Sequence, residues 1–298
     1  MKIQSRGDKC FAVIVHIVMV LATLLCLVPF YMLIIGSFSD NATIIKEGYS
    51  FFPSKFSLDG YRYIGYMSNT FVTAYGITII TTVIGTALSL FLTSALGYGL
   101  ARKDVPGRNV ISFLVVFTML FNGGLVPTYY VYTNFINVKN SLLAYILPGL
   151  LLSAFNVILV RSYIASSIPE SLIESAELDG ASELTIYGRI VMPLCTPILA
   201  TIGLLTGVNY WNSWQNGLYY ITDSSMYSVQ NILNRMLEDI RFLQSGAMGD
   251  YGGELMAKMP TNSVRMAIAV IGVLPILVLY PFFQRYFVKG ITLGAVKG

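Results

Sequence analysis

Six stretches of this chain run for 19 residues or more without a single Asp, Glu, Lys or Arg. They are Cys10–Ser39, Tyr63–Ala101, Asn109–Val138, Asn140–Val160, Ile190–Thr222 and Met266–Gln284. About 20 apolar residues are enough for an α-helix to cross a bilayer. We therefore predict an all-α membrane protein with six transmembrane helices in a single domain, residues 1–298. We place the helices near residues 11–36, 70–99, 109–129, 141–163, 190–212 and 263–287.

The composition agrees with a membrane location and narrows the chemistry. Charged residues make up 11% of the chain, whereas soluble domains average roughly 25%. The formal net charge of +4 then reflects loop charges that set orientation rather than affinity for nucleic acid. Cys10, Cys26 and Cys195 are far apart and odd in number, so we expect neither a disulfide framework nor a metal site.

Basic residues cluster beside three of the predicted helix ends. They are Lys2, Arg6 and Lys9 before the first helix, Arg102, Lys103 and Arg108 between the second and third, and Arg285, Lys289 and Lys297 after the sixth. Cytoplasmic loops carry an excess of Lys and Arg, and an even number of crossings separates the three clusters. We therefore expect cytoplasmic N- and C-termini and a cytoplasmic loop at residues 164–189.

The segment Arg161–Arg189, which contains that loop, is the most charged local passage of the chain. Ser167 and Glu170 have the spacing of a capping box, which predicts the start of a helix. Gly180 predicts its end, and Ser182 can cap a second helix. The first helix would have an apolar face and an acidic face, formed by Ile168, Leu172, Ile173 and Ala176 and by Glu170, Glu174 and Glu177. A docking element and a solvated connector between two membrane helices both fit this polarity.

A longer pattern favours the docking element. Glu174, Ala176, Gly180, Ile190 and Pro193 match a motif of E-A-A, three residues, Gly, nine residues and I-x-L-P. This motif resembles the EAA signature of ABC-importer permeases. Ser175 replaces the first Ala and Met192 replaces the Leu, and both changes are conservative in size. Because the spacing is long and fixed, chance matches are rare.

The resemblance extends over essentially the whole chain, including the segment SFSDNATIIKEGYSFFPSKFSLDGYRYI and the ending FFQRYFVKGITLGAVKG. The chain is similar to the smaller permease subunit of carbohydrate importers of the maltose/oligosaccharide type. Within that type it looks like the branch associated with polysaccharide fragments such as aldouronates. The resemblance implies a multi-pass permease of the bacterial plasma membrane that is not an enzyme.

The resemblance also implies the partners. In this family two permeases form a heterodimeric pore, each inserts a coupling helix into a cytoplasmic ATPase dimer, and an extracytoplasmic binding protein delivers the sugar. The residues implied in coupling are Glu174, Ala176, Asp179, Gly180, Ile190 and Pro193. No Gly-Lys pair occurs in the chain, so it lacks a Walker A loop. We expect no cofactor in this chain and ATP bound by a partner subunit.

Polar and aromatic residues in the apolar runs are candidates for the substrate path. They are Asn156 in the fourth predicted helix and Tyr210, Trp211, Asn212 and Trp214 at the end of the fifth. Flat aromatic faces and amides suit sugars. However, Trp and Tyr are also enriched at membrane interfaces, and an Asn at membrane depth commonly bonds a neighbouring helix. Both interpretations stay open.

Two other classes of transporter remain as alternatives. One is a permease of an ABC importer for another solute, which the ligand of its binding protein would reveal. The other is an ion-coupled carrier, which would transport without an ATPase. Ion coupling needs ionisable groups inside the membrane, and His16, in the first of the six charge-free runs, is the single candidate that we find.

Overall fold

The computed structural model describes residues 6–245 and 261–295 of the chain. Its α-helices are α1 (Arg6–Ser37), α2 (Asn41–Glu47), α3 (Asp59–Gly65), α4 (Ser68–Ala101), α5 (Arg108–Leu120), α6 (Leu125–Asn134), α7 (Leu143–Ile146), α8 (Ala154–Ser167), α9 (Glu170–Leu178), α10 (Glu183–Thr185), α11 (Met192–Leu194), α12 (Thr196–Trp211), α13 (Gln215–Tyr220), α14 (Val229–Gln244) and α15 (Thr261–Ala295). A π-helical turn, Ile186–Val191, joins α10 to α11. Within the described ranges there is no β-strand, only an isolated bridge between Ser39 and Phe56. The all-α class is confirmed.

Two of these helices are long and apolar enough to cross a membrane, Phe11–Ser37 within α1 and Ser68–Ala101, which is α4. Two bent pairs bring the count to four if each pair is one crossing: Arg108–Leu120 with Leu125–Asn134, and Glu183–Leu194 with Thr196–Trp211. Asn262–Val278 is a shorter apolar helix. These counts cover the described residues alone, and the six crossings stay a prediction.

The helix predicted near 109–129 is not continuous. It ends at Leu120, and α6 leaves at an angle of 119°. At the break, the side-chain oxygen of Asn122 accepts a hydrogen bond from the backbone N–H of Gly124 at 2.9 Å. Gly124 has φ of 82°, a conformation that glycine adopts at little cost. The Asn-Gly-Gly sequence therefore ends one helix and redirects the chain.

The helix predicted near 141–163 is also wrong as a single element. The helix α7 ends at Ile146 and α8 begins only at Ala154. Between them, Pro148 has no N–H to continue a helix, and Gly149 has φ of 72°. The prediction missed the break because the chain is apolar on both sides of this Pro-Gly pair.

Side chains compensate for the backbone hydrogen bonds lost at that interruption. Three successive carbonyls accept from side-chain donors: Ile146 from the Tyr210 hydroxyl at 2.9 Å, Leu147 from the Tyr132 hydroxyl at 3.3 Å, and Pro148 from the Asn216 amide at 3.0 Å. Irregular backbone at membrane depth is tolerated only where such partners exist. The interruption between α7 and α8 is therefore stabilised by side-chain hydrogen bonds.

The predicted fifth helix, near 190–212, contains a third interruption. Glu183–Leu194 and Thr196–Trp211 meet at an angle of 79°. Pro193 and Pro197 flank the bend, and the carbonyl of Leu194 accepts a hydrogen bond from the Tyr163 hydroxyl at 3.3 Å. Proline on each side explains why the helix cannot run straight through.

The chain divides into two compact units, one of Met1–Ser68 with Arg235–Leu274 and the other of Asn69–Asn234 with Pro275–Gly298. The single-domain organisation stays a prediction. In the first unit, Phe38 stacks on Phe56 with ring centres 5.6 Å apart. A Cβ on Gly60 would lie 2.9 Å from the carbonyl oxygen of Ser263, so α3 meets the start of α15 at a distance that only glycine allows.

The second unit is built around α4. A Cβ on Gly97 would lie 2.7 Å from a methyl carbon of Val160 in α8, and a Cβ on Gly85 would lie 2.5 Å from the ring of Tyr210 in α12. Both glycines let backbones approach closely, as small residues do in membrane helices. Two buried clusters result, one around Tyr98, Ile164, Ile173, Ile186 and Val191, the other around Val138, Ala144, Tyr145, Tyr220 and Ile221.

We predict that Tyr210→Phe lowers the melting temperature of the purified protein by an amount equivalent to about 1 kcal/mol, a typical value for such bonds in membranes. The substitution keeps the ring but leaves the Ile146 carbonyl without its donor. Thermal unfolding in detergent would measure the change. Tyr130→Phe is the control, because the Tyr130 side chain is exposed. Equal melting temperatures for the two variants would contradict the structural importance of the Tyr210 hydroxyl.

Candidate coupling site

The helix α9 ends in the way that its sequence predicts. Gly180 has φ of 80°. Its N–H bonds the carbonyl of Glu177 at 2.9 Å, and the N–H of Ala181 bonds the carbonyl of Ala176 at 3.0 Å. This pair of bonds is the Schellman motif, which satisfies the last carbonyls of a helix and reverses the chain. Ser182 then caps α10 by accepting a hydrogen bond from the N–H of Thr185, as predicted.

The predicted start of α9 is wrong. Ser167 is not an N-cap but the last residue of α8, whose final turn continues until the N–H of Ile168 bonds the carbonyl of Ile164 at 3.1 Å. The N-cap position belongs to Pro169, whose side chain cannot accept a hydrogen bond. Glu170 instead forms an ion pair with Lys103 at 2.6 Å. The capping box is absent because α8 extends through Ser167 and α9 begins only after Pro169.

One side of α9 lies on a buried cluster. Ile168 and Ile173 are buried with Ile164 of α8 and Ile186 of the π-helical turn, and Ala176 packs against the same cluster. Leu172, predicted on this face, is instead exposed. The cluster fixes which side of α9 points away from the rest of the unit.

The opposite side of α9 and the tip of its hairpin are open. Leu178 and Leu184, which flank the turn at Asp179 and Gly180, are 89% and 82% exposed. Glu174 is exposed and forms no ion pair with any residue in the described ranges. Two strongly exposed apolar side chains beside an exposed carboxylate suit a binding surface.

Two further residues of the predicted motif lie beyond the hairpin. Ile190 is half-buried in the π-helical turn and Pro193 is exposed on α11. They lie in the path from α10 to α12 rather than at the hairpin tip. The π-helical turn and the bend after it separate α9 from the long helix α12. A cavity of about 630 Å³ opens beside α9, with Ala101, Ile164, Ile168 and Glu174 among its lining residues.

Arg102 connects this hairpin to the end of α4. Its guanidinium binds Asp104 through two bonds of 2.8 Å, Glu177 at 2.6 Å and Glu183 at 3.3 Å. The Tyr98 hydroxyl donates to Glu183 at 2.7 Å. Only 13% of the Arg102 side chain is exposed. One cation thus links α4, α9 and α10.

Arg102 and Asp104 each stabilise the charged form of the other. Hydrogen bonds from the Arg102 guanidinium lower the pKa of Asp104 to about 2. The hydrogen bond to Asp104 also raises the pKa of Arg102 further above its usual value. Both groups therefore remain charged, and each carboxylate in the cluster depends on the same guanidinium.

Sequence reasoning missed the function of Arg102, Glu177 and Glu183 in this cluster. Arg102 and Lys103 were interpreted only as markers of membrane orientation. The signal that could have found the cluster is charge complementarity: a short basic turn, residues 102–108, and an acidic segment both lie at ends of apolar runs. Residues 75 positions apart, Arg102 and Glu177, meet there.

The predicted substrate-path residues occupy different environments. Tyr210 and Trp211 are buried, Tyr210 holding the α7 carbonyl and Trp211 lying 6.2 Å from the Tyr75 ring. Asn212 and Trp214 are exposed beside them, and Asn156 is half-buried on α8. Within this set, the first two are engaged in packing while the others have free surface.

Comparisons with known proteins extend over nearly the full chain. It is 37% identical to the polygalacturonan/rhamnogalacturonan transport system permease protein YtcP of Bacillus subtilis (strain 168), covering 98% of this chain and 99% of that protein. It is 37% identical to protein LplC of the same organism, covering 91% of this chain and 90% of LplC. A comparison with models of protein families finds no match.

A solved structure is also similar. The crystal structure of a bacterial ABC transporter involved in the import of the acidic polysaccharide alginate contains a chain that matches with a TM-score of 0.80 and 29% identity. The match covers 96% of this chain and 100% of that one. Long apolar helices, the hairpin with its EAA-like spacing and full-length similarity agree. The chain belongs to the family of membrane permease subunits of carbohydrate ABC importers.

Proposed function

We propose that this permease imports an acidic oligosaccharide, forms half of a heterodimeric pore with a second permease, and is driven by a cytoplasmic ATPase dimer that binds the α9 hairpin. An extracytoplasmic binding protein delivers the sugar. The observation that carries the proposal is the 37% identity to YtcP over 98% of the chain. ATP is bound by the ATPase, because this chain contains no Gly-Lys pair and so no Walker A loop.

The shape and charge of the hairpin support its assignment as the coupling element. Its exposed leucines, Leu178 and Leu184, can fill an apolar groove, and exposed Glu174 can pair with a basic residue of the ATPase. Ala176 packs against the buried cluster beneath α9, which holds the helix in place. Asp179 and Gly180 form the turn, and Ile190 and Pro193 lie on the path toward α12. Together these residues would pass a displacement of α9 into the membrane.

The orientation follows from the basic clusters and stays part of the proposal. The hairpin and the basic turn are joined by ion pairs, so they lie on one side of the membrane. We place that side in the cytoplasm, because cytoplasmic loops are enriched in Lys and Arg. The N- and C-termini, predicted to be cytoplasmic too, end in residues 1–5 and 296–298, which lie outside the described residues.

The names of two relatives support an acidic sugar. YtcP is named for polygalacturonan and rhamnogalacturonan, and the structural relative for the acidic polysaccharide alginate. These agree with the resemblance to permeases for aldouronates, which also carry uronic acids. For the substrate path we propose Asn156, Asn212 and Trp214 as contacts, because they retain free surface, with Tyr210 and Trp211 supporting them from the packed side.

We predict that Glu174→Lys leaves the permease inserted and assembled but lowers sugar uptake below roughly a tenth of the unmodified level, because like charges at an interface cost several kcal/mol. Uptake and sugar-stimulated ATP hydrolysis would be measured with the complete importer in liposomes. Asp239→Lys is the matched control, since Asp239 is an exposed acid on a different helix, α14. Unchanged uptake by the Glu174 variant would exclude α9 as the coupling helix.

We also predict the class of sugar. Oligogalacturonides, presented with the binding protein, should stimulate ATP hydrolysis by the reconstituted importer, whereas neutral maltooligosaccharides of the same length should not. Stimulation by the neutral maltooligosaccharides alone would reject the proposal of an acidic substrate but would still agree with a carbohydrate importer. Stimulation by a solute that is not a sugar would favour the other class of ABC importer. Uptake by the permease alone, without an ATPase, would favour an ion-coupled carrier.

A further inference from the structure

The basic turn of residues 102–108 holds both ends of α9. At the first residue of the helix, Glu170 pairs with Lys103 at 2.6 Å, and in the last turn Glu177 pairs with Arg102 at 2.6 Å. The two bonds differ in environment. Lys103 and Glu170 are 73% and 56% exposed, so solvent weakens their pair. The bond between Arg102 and Glu177 is less exposed, at 13% and 41% of the two side chains, so solvent screens it less.

The position of Arg102 is itself fixed. Asp104, two residues along the same turn, holds its guanidinium through a bidentate pair, and the Tyr98 hydroxyl lies 3.4 Å away on α4. The backbone carbonyl of Arg102 accepts a further bond from Arg108 at 3.0 Å. Bidentate arginine pairs add geometric specificity to their strength. The guanidinium is therefore presented to Glu177 and Glu183 by a rigid support.

The covalent connections of α9 are less rigid than this bridge. Before α9 the chain passes through Ile168 and Pro169, both in extended conformation. After it the chain passes through Gly180 in the left-handed conformation. Neither link continues a helix, so along the backbone a push on α9 reaches α8 and α12 through bends, and apart from the backbone it reaches them through the apolar contacts of the buried cluster. Arg102, by contrast, lies one residue beyond Ala101, the last residue of the 34-residue helix α4.

We propose that Arg102 is a positioning residue that makes α4 move together with α9, so that displacement of the coupling hairpin is transmitted directly to the longest fully described membrane helix of the second unit. This inference rests on the proposed docking of α9 on an ATPase. Glu177 receives the displacement, and Glu183 and Tyr98 keep α10 and α4 in the same cluster. Loss of Arg102 would leave three carboxylates around one site and remove the ion pair that ties the end of α4 to Glu177, while the Tyr98–Glu183 hydrogen bond and the apolar cluster remain.

The test measures the number of sugar molecules transported per ATP hydrolysed by the complete importer in liposomes. Arg102→Met should keep ATP hydrolysis while the ratio falls by roughly tenfold, a change within the usual range of coupling energies. Arg102→Lys keeps the charge but loses the planar fork, and should assemble with an intermediate ratio. Arg241→Met is the matched control, because Arg241 forms an exposed ion pair with Glu238, and its ratio should be unchanged.

A second measurement replaces the ion pair with a reversible covalent link. Arg102→Cys with Glu177→Cys, in a chain whose three native cysteines are changed to Ala, should behave like Arg102→Met. Bridging the two thiols with a short bifunctional methanethiosulfonate should restore the ratio, and a reductant should abolish it again. A fall in ATP hydrolysis and uptake in equal proportion, or no recovery on bridging, would show that Arg102 only stabilises the fold.

Failure of this inference differs from failure of the proposed coupling. If α9 does not dock on the ATPase, Glu174→Lys and Arg102→Met both leave the transport ratio unchanged. If α9 docks but Arg102 does not transmit its movement, Glu174→Lys abolishes uptake while Arg102→Met keeps the ratio of the unmodified importer. The first result would overturn the docking of α9 on the ATPase, and the second would overturn the transmission of movement by Arg102.

Discussion

The position of the α9–α10 hairpin in the second unit depends on the ion pairs of the Arg102 guanidinium. The Arg102 side chain is only 13% exposed, and it binds three partly exposed carboxylates, those of Asp104, Glu177 and Glu183. Pairing is what makes such burial of charge acceptable, since removing the cation would leave the acids unpaired. Because each acid belongs to a different segment, one charge sets the position of α9 and α10 against the end of α4. The apolar cluster beneath α9 fixes which face of the hairpin is open.

The bilayer imposes the second constraint, that every backbone polar group at membrane depth has a partner inside the protein. The interruption between α7 and α8 shows how the chain meets it. Tyr132, Tyr210 and Asn216 each donate to one of three successive carbonyls. A tyrosine near a helix end can therefore donate a hydrogen bond to a backbone carbonyl instead of lying at the membrane interface or contacting a sugar. Tyr210 does so here.

Sequence patterns predicted the helical class, the left-handed turn at Gly180 and the cap at Ser182, because each depends on a few adjacent residues. They also identified the family, since the spacing from Glu174 to Pro193 is a property of the linear chain. They failed where an apolar run is broken by one Pro-Gly pair, at Pro148 and Gly149, because hydropathy averages over the break. They failed at Ser167 because α8 continues through that residue, so it is helical where a capping box requires a non-helical N-cap.

The sequence by itself thus determined that this chain enters a membrane as helices and carries one acidic hairpin, because hydrophobic length and turn chemistry are local properties. Only the tertiary structure decided which helices bend, which tyrosines donate hydrogen bonds to backbone carbonyls and which acids stay accessible to a partner. The physical reason is that an ion pair or hydrogen bond between residues 75 positions apart, such as Arg102 and Glu177, forms only when packing brings them together. Glu174 and Glu177 differ by three positions in the sequence, and only their neighbours in space make one accessible and the other engaged.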